Sequence, residues 1–573
     1  MIKKLIQLIS YKDPKHFFWI VFFIFILSIM DMIGFALVPI FVNFFLDPNS
    51  INIYLLKYLP NLSHQLDNKQ LLIAAALLIV FFFIIKNFIH FIFLIQKGSY
   101  VKYFFLNLKK EIVTNFIFKP YKFFLTQNTG FLLKNITTDV EKVRYAVVEV
   151  ITILKEILLI AMLFALSLFA SPLATLVVTL VFLIISVAFY LILKKTIKKK
   201  GTSLQFMEGI EIKNLLDYFN SIKIIKILGK ENFFLNNYKN NLKQMEQNKK
   251  FFLLINATPR IIFETLAILS VMSLSIFFII QGNTSNQAIS VIALLIFVAI
   301  RLLPSYNTIT ASYSSIKYNS KSIGIIIDII YKIKKENVFE EKNNSNSKLL
   351  FNDDIRIKNL EFSFENKQII NIQDLTIYKN KITGLVGKSG SGKSTFLNIL
   401  STMLNPKSGS ITIGNQNIFN NIQDWRKIIG YVPQDTILID DSIAKNIAFG
   451  IEEHLINFKK IEELIEKLDM QDFISNSNNG INTLVGDKGL NISGGQKQRI
   501  GLARALYSDP QFLLLDESTS SLDLKTEKKI LDTLSKLVKN KITVILSTHR
   551  QTSLHVCDIL YNLEKGNVQK IDF

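Results

Sequence analysis

Long apolar stretches constrain this chain more than any other feature of its sequence. Six of them lie before residue 307, and each approaches or exceeds the about 20 residues that a helix needs to cross about 30 Å of hydrocarbon. They run over residues 17–46, 71–95, 147–170, 172–193, 252–280 and 287–306. We therefore predict a membrane-embedded, all-α domain with six transmembrane helices, which excludes an ordinary soluble protein.

Basic residues predict how these helices are oriented. The net charge is +21 although half of the residues are hydrophobic, and lysines cluster before the first span and in every second loop. The clusters are Lys3, Lys4, Lys12 and Lys15, then Lys97, Lys102, Lys109, Lys110, Lys119 and Lys122, then Lys194, Lys195, Lys198, Lys199 and Lys200. The positive-inside rule then predicts that both termini are cytoplasmic. Because the basic runs alternate with spans, we expect a lipid bilayer as the partner and no nucleic acid.

The sequence changes character after the last span. Beyond about residue 345 no long apolar stretch recurs, and short strand and helix patterns alternate with turn signals. We predict a transmembrane domain over residues 1–335, a linker over 336–350 that is rich in Asn and Ser, and an α/β domain over 351–573.

The predicted second domain contains a complete phosphate-binding loop. It follows the strand-like segment Ile382–Val386 and precedes the helix-like segment Phe396–Leu404. The loop consists of Gly387, Lys388, Ser389, Gly390, Ser391, Gly392, Lys393, Ser394 and Thr395. Its glycines let backbone N–H groups surround phosphate oxygens, Lys393 can reach the β- and γ-phosphates, and the Ser394 hydroxyl suits Mg²⁺. The sequence thus predicts a P-loop NTPase domain that uses ATP and Mg²⁺.

Two carboxylates follow a second buried strand pattern. The apolar run Phe512–Leu515 ends in Asp516 and Glu517, as expected for a parallel strand that delivers side chains at its C-terminal end. Asp516 suits metal coordination, and Glu517 is placed to polarise the water that attacks the γ-phosphate.

The segment Asn491–Arg499 resembles the signature sequence of ATP-binding cassette (ABC) proteins, with Ile492 where Leu is usual. The resemblance implies that Ser493, Gly494, Gly495 and Gln496 contact nucleotide, and that the signature of one cassette closes the nucleotide site of another. This chain contains one phosphate loop and one signature, so the resemblance implies a homodimer.

Other cassette motifs follow in the order typical of this family. The resemblance implies that Gln434 is the Q-loop glutamine beside the metal, that His549 contacts the γ-phosphate and that Phe364 stacks on adenine. Ser520–Asp523 resembles the D-loop, and Asp487 lies in an exporter-type loop where Glu is commoner. The implied activity is an ATPase coupled to the movement of substances across a membrane.

Ionisable residues inside the predicted spans suggest the cargo. Counting from the outer ends of the spans places Lys86, Arg301 and Arg260 about 22, 21 and 30 Å deep. Three cations at comparable depth favour a binding strip for an anionic group. The alternatives are that Arg260 pairs with Glu264 and that Lys86 reaches the inner interface. Asp31 and His90 also lie within spans, as cavity lining or local partners.

A closer resemblance links these segments to bacterial flippases for lipid-linked oligosaccharides in protein N-glycosylation. It is carried by Pro259–Glu264, Arg301–Ser305 and Ile309–Tyr313, and Ile51–Leu59 resembles that family's short external helix. It implies movement of a polyprenyl-diphosphate glycan across the bacterial inner membrane, with Lys86, Arg260 and Arg301 at the diphosphate. Export of a lipid A precursor, a drug or a peptide stays open. A channel or regulator that does not pump is disfavoured by intact Glu517 and His549.

Overall fold

The computed structural model describes residues 5–7, 14–46, 68–170, 172–280, 286–336, 349–364, 367–486, 489–518, 523–539 and 541–571. The chain divides into two compact units, Met1–Lys119 with Thr126–Val338 and Pro120–Leu125 with Phe339–Phe573. Residues 337–348 of the predicted linker and the Ile51–Leu59 segment lie outside the described residues. The exact bounds of the predicted domains therefore stay a prediction.

Helices form all the regular structure described in the first unit. Helices of at least eight residues are numbered, and six of those described here exceed 30 residues. They are α1 (Pro14–Leu46), α2 (Asn68–Ile117), α3 (Val140–Ala170), α4 (Pro172–Asn220), α5 (Glu231–Ile280) and α6 (Asn286–Tyr318). Each predicted span falls within one of them. Helix α2 has 50 residues, about 75 Å at 1.5 Å per residue, so it continues well beyond the thickness of a bilayer.

Two described helices are long and apolar enough on their own to cross a membrane. They are Pro14–Val42 and Lys69–Ile117 within α1 and α2.

Shorter elements connect the long helices. They are Tyr121–Thr126, Thr129–Lys134, a π-helical turn at Asn135–Asp139, Ile222–Ile227 and α7 (Ser320–Glu336). Asn128 caps the helix Thr129–Lys134, and its side chain accepts a hydrogen bond from the Gly130 N–H at 3.0 Å. At the π-helical turn a fully buried Lys134 donates to Asp139 at 2.9 Å. Burial lowers the pKa of Lys134, against the opposing attraction of Asp139.

Two sheets form the frame of the second unit. Their strands are β1 (Ile355–Phe364), β2 (Lys367–Ile377), β3 (Ile382–Val386), β4 (Ser408–Ile413), β5 (Gln416–Asn417), β6 (Ile429–Val432), β7 (Phe512–Asp516), β8 (Thr543–Ser547), β9 (Ile559–Glu564) and β10 (Asn567–Ile571). An antiparallel sheet has the order β2-β1-β4-β5, and a second sheet has the order β10-β9-β3-β8-β7-β6. In the second sheet only the β9–β10 pair is antiparallel among the described strand pairs.

Helices pack on this second sheet. The longer ones are α8 (Lys393–Leu400), α9 (Phe458–Lys467), α10 (Gly494–Tyr507) and α11 (Leu524–Lys539). The shorter elements are Ile418–Asn420, Ile422–Lys427, Ile443–Ile447, Glu453–Leu455, Gln471–Ser475, Gly480–Asn482 and Gln551–Leu554. Strands β3, β7 and β8 are buried and apolar, as parallel strands covered on both faces should be.

Parallel pairing brings the predicted motifs to one edge of the sheet. Asp516 is opposite Ser547 in register, and Leu385 is also opposite Ser547. The phosphate loop, the two carboxylates and His549 therefore all leave the sheet at the carboxyl ends of adjacent strands, where α/β proteins bind ligands.

Candidate nucleotide site and charges in the helical unit

The phosphate loop has a backbone that other residues could not adopt. Gly387 has φ +151°, and a Cβ at that position would lie 2.3 Å from the Leu563 carbonyl oxygen. Gly392 has φ +109° and immediately precedes α8, so the loop ends at a helix N-terminus. This combination presents backbone donors and a favourable helix dipole to an anion.

Lys393 lies at the centre of the site. It is buried, and its ammonium donates to the carbonyl oxygens of Gly387 at 2.8 Å and Lys388 at 3.3 Å. Its Nζ also lies 2.9 Å from His549 Nε2 and 3.9 Å from Glu517 Oε1. Burial lowers the pKa of Lys393, whereas the two neighbouring carboxylates act in the opposite direction.

Glu517 joins the other predicted catalytic residues. Its Oε2 accepts a hydrogen bond from Gln434 Nε2 at 2.8 Å, and its Oε1 lies 3.0 Å from His549 Nε2. One imidazole nitrogen cannot accept from Lys393 and donate to Glu517 at once, so the histidine tautomer decides which bond forms. The structure thus brings together four residues that the sequence spreads over more than 150 positions.

The backbone of Glu517 is strained. Its φ is +47°, in the left-handed region that residues with a Cβ seldom adopt. The Glu517 N–H is held by the Ser547 carbonyl oxygen at 3.1 Å, directly after the two strands pair. Strain of this kind costs on the order of 1–3 kcal/mol and is concentrated at functional sites, because it directs a side chain to a fixed position.

Asp516 and Ser394 fit a magnesium site. Asp516 is buried, and its Oδ1 accepts no hydrogen bond within the described residues. Burial raises the pKa of Asp516, while the adjacent Ser394 hydroxyl opposes that shift. The residues described contain no cluster of three or more His, Cys, Asp or Glu side chains suited to a metal. Mg²⁺ typically takes one or two carboxylates together with nucleotide phosphates, so the Asp516 carboxylate beside the Ser394 hydroxyl suits it.

The predicted signature begins a helix but does not join this cluster. Ser493 caps α10, accepting from the Gln496 N–H at 3.3 Å, while the Gln496 side chain accepts from the Ser493 N–H at 2.8 Å. Among described residues, no hydrogen bond or ion pair links Ser493, Gly494, Gly495 or Gln496 to Lys393 or Glu517. Phe364 packs edge-on against Phe362, with 4.9 Å between ring centroids. Asp487 and Ser520–Leu522 lie outside the described residues.

Sequence reasoning missed Glu527, which lies in the first turn of α11. This carboxylate is 1% exposed and accepts hydrogen bonds from Arg550 Nη1 and Ser553 Oγ, both at 2.8 Å. Arg550 directly follows His549, so Glu527 holds the segment that carries the histidine. The sequence shows Glu527 only as an acidic residue four positions after Asp523. Its role was not predictable from that, because its partners Arg550 and Ser553 come from another part of the chain.

Two of the three cations predicted for cargo have carboxylate partners. Lys86 of α2 lies 2.5 Å from Asp31 of α1, with the ring of Phe83 5.1 Å from its Nζ. Arg260 forms an ion pair with Glu264 at 3.0 Å, as the alternative interpretation of the sequence anticipated, and its side chain is 69% exposed. Arg301 lies in α6, and its side chain is outside the part of the structure that is described.

Comparison with known proteins agrees with both units. Residues 17–303 match the family described as ABC transporter transmembrane region, and residues 370–520 match the family described as ABC transporter. A solved structure of a bacterial Atm1-family ABC exporter with ATP bound has a TM-score of 0.78. It is 19% identical, covering 95% of this chain and 93% of that chain. That likeness concerns the fold alone, and together these matches confirm the predicted fold class.

Relatives similar over most of their length carry export-related names. A putative export ATP-binding/permease protein of Rickettsia typhi is 30% identical over 500 residues, 83% of this chain and 84% of that protein. The multidrug resistance-like ATP-binding protein MdlA of Buchnera aphidicola is 29% identical over 81% of this chain and 80% of its own. The ATP-dependent lipid A-core flippase of Photorhabdus laumondii is 27% identical over 81% and 79%, respectively.

The membrane region, the ATP-binding domain and the similarity over nearly the whole chain lead to one assignment. The predicted transport ATPase and its use of ATP with Mg²⁺ are confirmed by the same matches. The chain belongs to the ABC transporter family, as an exporter-type half-transporter whose ATP-binding domain hydrolyses ATP to drive transport.

Proposed function

We propose that two copies of this chain form an ATP-driven flippase for an anionic lipid-linked oligosaccharide such as a polyprenyl-diphosphate glycan. The convergence of Lys393, Glu517, His549 and Gln434 within hydrogen-bonding or ion-pair distance carries the hydrolytic part of this proposal. The basic residues within the predicted spans support the anionic character of the cargo.

Each residue of the nucleotide site has a role in this proposal. Lys393 and the backbone N–H groups of the phosphate loop bind the β- and γ-phosphates. Glu517 orients and deprotonates the attacking water, and His549 donates to the γ-phosphate while Gln434 holds Glu517 in position. Phe364 stacks on the adenine. Ser394, Asp516 and Gln434 would hold Mg²⁺, which neutralises charge that develops on the phosphate oxygens.

A second copy of the chain completes the site. The backbone N–H groups at the start of α10 suit an anion, yet Ser493 and Gln496 are engaged with each other rather than with the Lys393 cluster. With one phosphate loop and one signature in each chain, a homodimer supplies the signature from the partner at both sites. ATP then holds the cassettes together, and hydrolysis releases them.

The cargo interacts with cations that already have partners. In this proposal the diphosphate replaces Asp31 at Lys86 and joins the exposed Arg260, with Arg301 as the third cation. At Lys86 one anionic partner replaces another, so the lysine stays paired within the membrane.

A less anionic amphipathic cargo is the second candidate. The ion pairs of Lys86 with Asp31 and Arg260 with Glu264 neutralise both cations, which suits another lipid, a drug or a peptide. The names of the relatives, which include a lipid A-core flippase and a multidrug-like protein, support this alternative.

The location and orientation form part of the proposal. Bacterial relatives and the membrane region support the inner membrane. The lysine-rich loops support an orientation with both termini in the cytoplasm, so that ATP reaches the cassettes and the cargo moves outward.

Reconstitution tests the cargo. Purified transporter in liposomes is given ATP and a polyprenyl-diphosphate oligosaccharide, a lipid A-type glycolipid or a neutral amphipathic drug, and movement of each across the bilayer is measured. We expect ATP-dependent movement of the diphosphate lipid and its loss when Lys86, Arg260 and Arg301 are together replaced by Ala. Lys249→Ala is the control, because this exposed lysine of α5 lies outside the predicted spans. Movement that survives the triple replacement, or that occurs only with the other cargoes, would refute the proposal.

A further inference from the structure

Helices α1 and α2 leave a recess between them that no step of transport uses. It has a volume of about 520 Å³. We call it the aromatic groove, and define it by His16, Trp19 and Phe23 of α1 with Ser99, Tyr100 and Tyr103 of α2. The His16 and Tyr103 rings face each other across it, with centroids 6.5 Å apart. The groove is therefore lined by both helices rather than being a flat part of one helix surface.

The groove lies where both helices change from polar to apolar. The apolar stretch of α1 begins at residue 17, and the predicted span of α2 ends at residue 95. Phe23 therefore lies toward the hydrocarbon, and His16 and Tyr103 lie toward water. Trp19 and Tyr103 are 56% and 54% exposed. Tryptophan and tyrosine combine an apolar ring with a polar tip, and they concentrate at the depth of lipid headgroups.

Two exposed lysines are next in sequence to residues that line the groove. Lys15 directly precedes His16, Lys102 directly precedes Tyr103, and both lysines are exposed. The described lining contains no carboxylate. A lysine near a bilayer surface attracts anionic lipid electrostatically. The groove lies at the level of the lipid headgroups, aromatic rings line it, and Lys15 and Lys102 are close to it in sequence. These features suit a lipid headgroup with one negative charge and the first part of its acyl chain.

We propose that the aromatic groove is a binding site for an anionic phospholipid from the lysine-rich leaflet of the bilayer. The phosphate lies beside Lys15, Lys102 and His16, and the acyl chain runs past Trp19 toward Phe23. An ordinary boundary lipid touches an exposed helix face on one side, whereas this lipid is held between two helices. The proposal does not depend on the identity of the cargo.

Trp19 reports directly on the groove. The sequence has two tryptophans, and the other, Trp425, is 0% exposed in the ATP-binding unit, where brominated acyl chains cannot touch it. The full-length transporter in detergent micelles is titrated with brominated phosphatidylglycerol or brominated phosphatidylcholine while tryptophan fluorescence is recorded. Trp19→Phe measures the unquenched background. We expect saturable quenching, with half-saturation at a phosphatidylglycerol fraction at least tenfold below that for phosphatidylcholine.

Two pairs of measurements separate a site from ordinary contact with lipid. Ser99→Phe fills the groove, and we expect it to raise the half-saturating fraction at least tenfold. Leu94→Phe, at an exposed position of α2 outside the lining, should leave that fraction unchanged. Joint replacement of Lys15 and Lys102 by Gln should remove the preference for phosphatidylglycerol. Identical, non-saturating curves for the two lipids, or a Ser99→Phe curve equal to that of Leu94→Phe, would overturn the proposal.

Discussion

Replacing Glu527 by Gln tests how much a buried carboxylate stabilises the ATP-binding unit through the segment that follows His549. Glu527 accepts hydrogen bonds from Arg550 Nη1 at 2.8 Å on one oxygen and from Ser553 Oγ at 2.8 Å on the other. A glutamine of the same shape has no charge and only one acceptor oxygen. The variant therefore loses the ion pair with Arg550, and in either orientation its amide N–H₂ faces Arg550 or Ser553 where an accepting oxygen stood.

The expected loss follows from the burial of the two partners. Neutralising one member of a fully buried ion pair costs about 3–5 kcal/mol, and one hydrogen bond to a charged group contributes about 1.5–3 kcal/mol. The Arg550 side chain is 34% exposed, so water partly compensates the loss of the Glu527 carboxylate. We therefore expect the free energy of unfolding of the ATP-binding unit to fall by about 2–3 kcal/mol.

Tryptophan fluorescence can follow this unit within the full-length protein. In a Trp19→Phe background Trp425 is the remaining tryptophan, and its burial makes its emission sensitive to unfolding of the cassette in urea. Lys529→Gln is the matched control on α11, because its ion pair with Asp469 is 51% and 39% exposed. It should cost less than about 1 kcal/mol. A Glu527→Gln loss within the range of that control would refute the argument from burial.

Two further changes test the nucleotide site and the ion pair of the helical unit. Glu517→Gln should lower ATP hydrolysis by about 10²- to 10⁴-fold, because the general base is removed while the phosphate contacts of Lys393 remain. Phosphate release and nucleotide binding measure this, and turnover near the wild-type rate would contradict the assignment. Exchanging Lys86 and Asp31 for each other should recover the thermal stability in detergent that Lys86→Ala loses. Thermal denaturation compares the two proteins, and no recovery would show that the pairing contributes little.

The long helices and the phosphate loop were predictable because they depend on local sequence. An apolar stretch determines where a helix meets lipid, and the loop needs glycine and lysine at fixed spacing. The second half of α2 contains no apolar stretch long enough to span a bilayer, but its apolar residues recur at helical spacing, and Tyr100, Phe104, Leu108 and Ile112 are buried.

Which acidic residue pairs with which basic residue was less predictable from the sequence. The ion pair of Arg260 with Glu264 was predictable because the two residues are four positions apart on one helix, and the structure contains that pair. Asp31 comes to Lys86 from another helix, and Arg550 comes to Glu527 from beyond the next strand, so both contacts depend on tertiary packing. The left-handed backbone of Glu517 also has no signal in its residue type, because sheet pairing imposes it.

The ion pair between α1 and α2 also has a consequence for biosynthesis. A lone aspartate or lysine at the centre of a helix opposes insertion into the bilayer by about 2.5–3.5 kcal/mol, and Asp31 is made before its partner Lys86. Inserting both helices together lets each charge neutralise the other at the moment of leaving water. The first two helices should therefore enter the membrane as one hairpin. When Lys86 is replaced by an uncharged residue, the first helix, which carries Asp31, should insert more slowly.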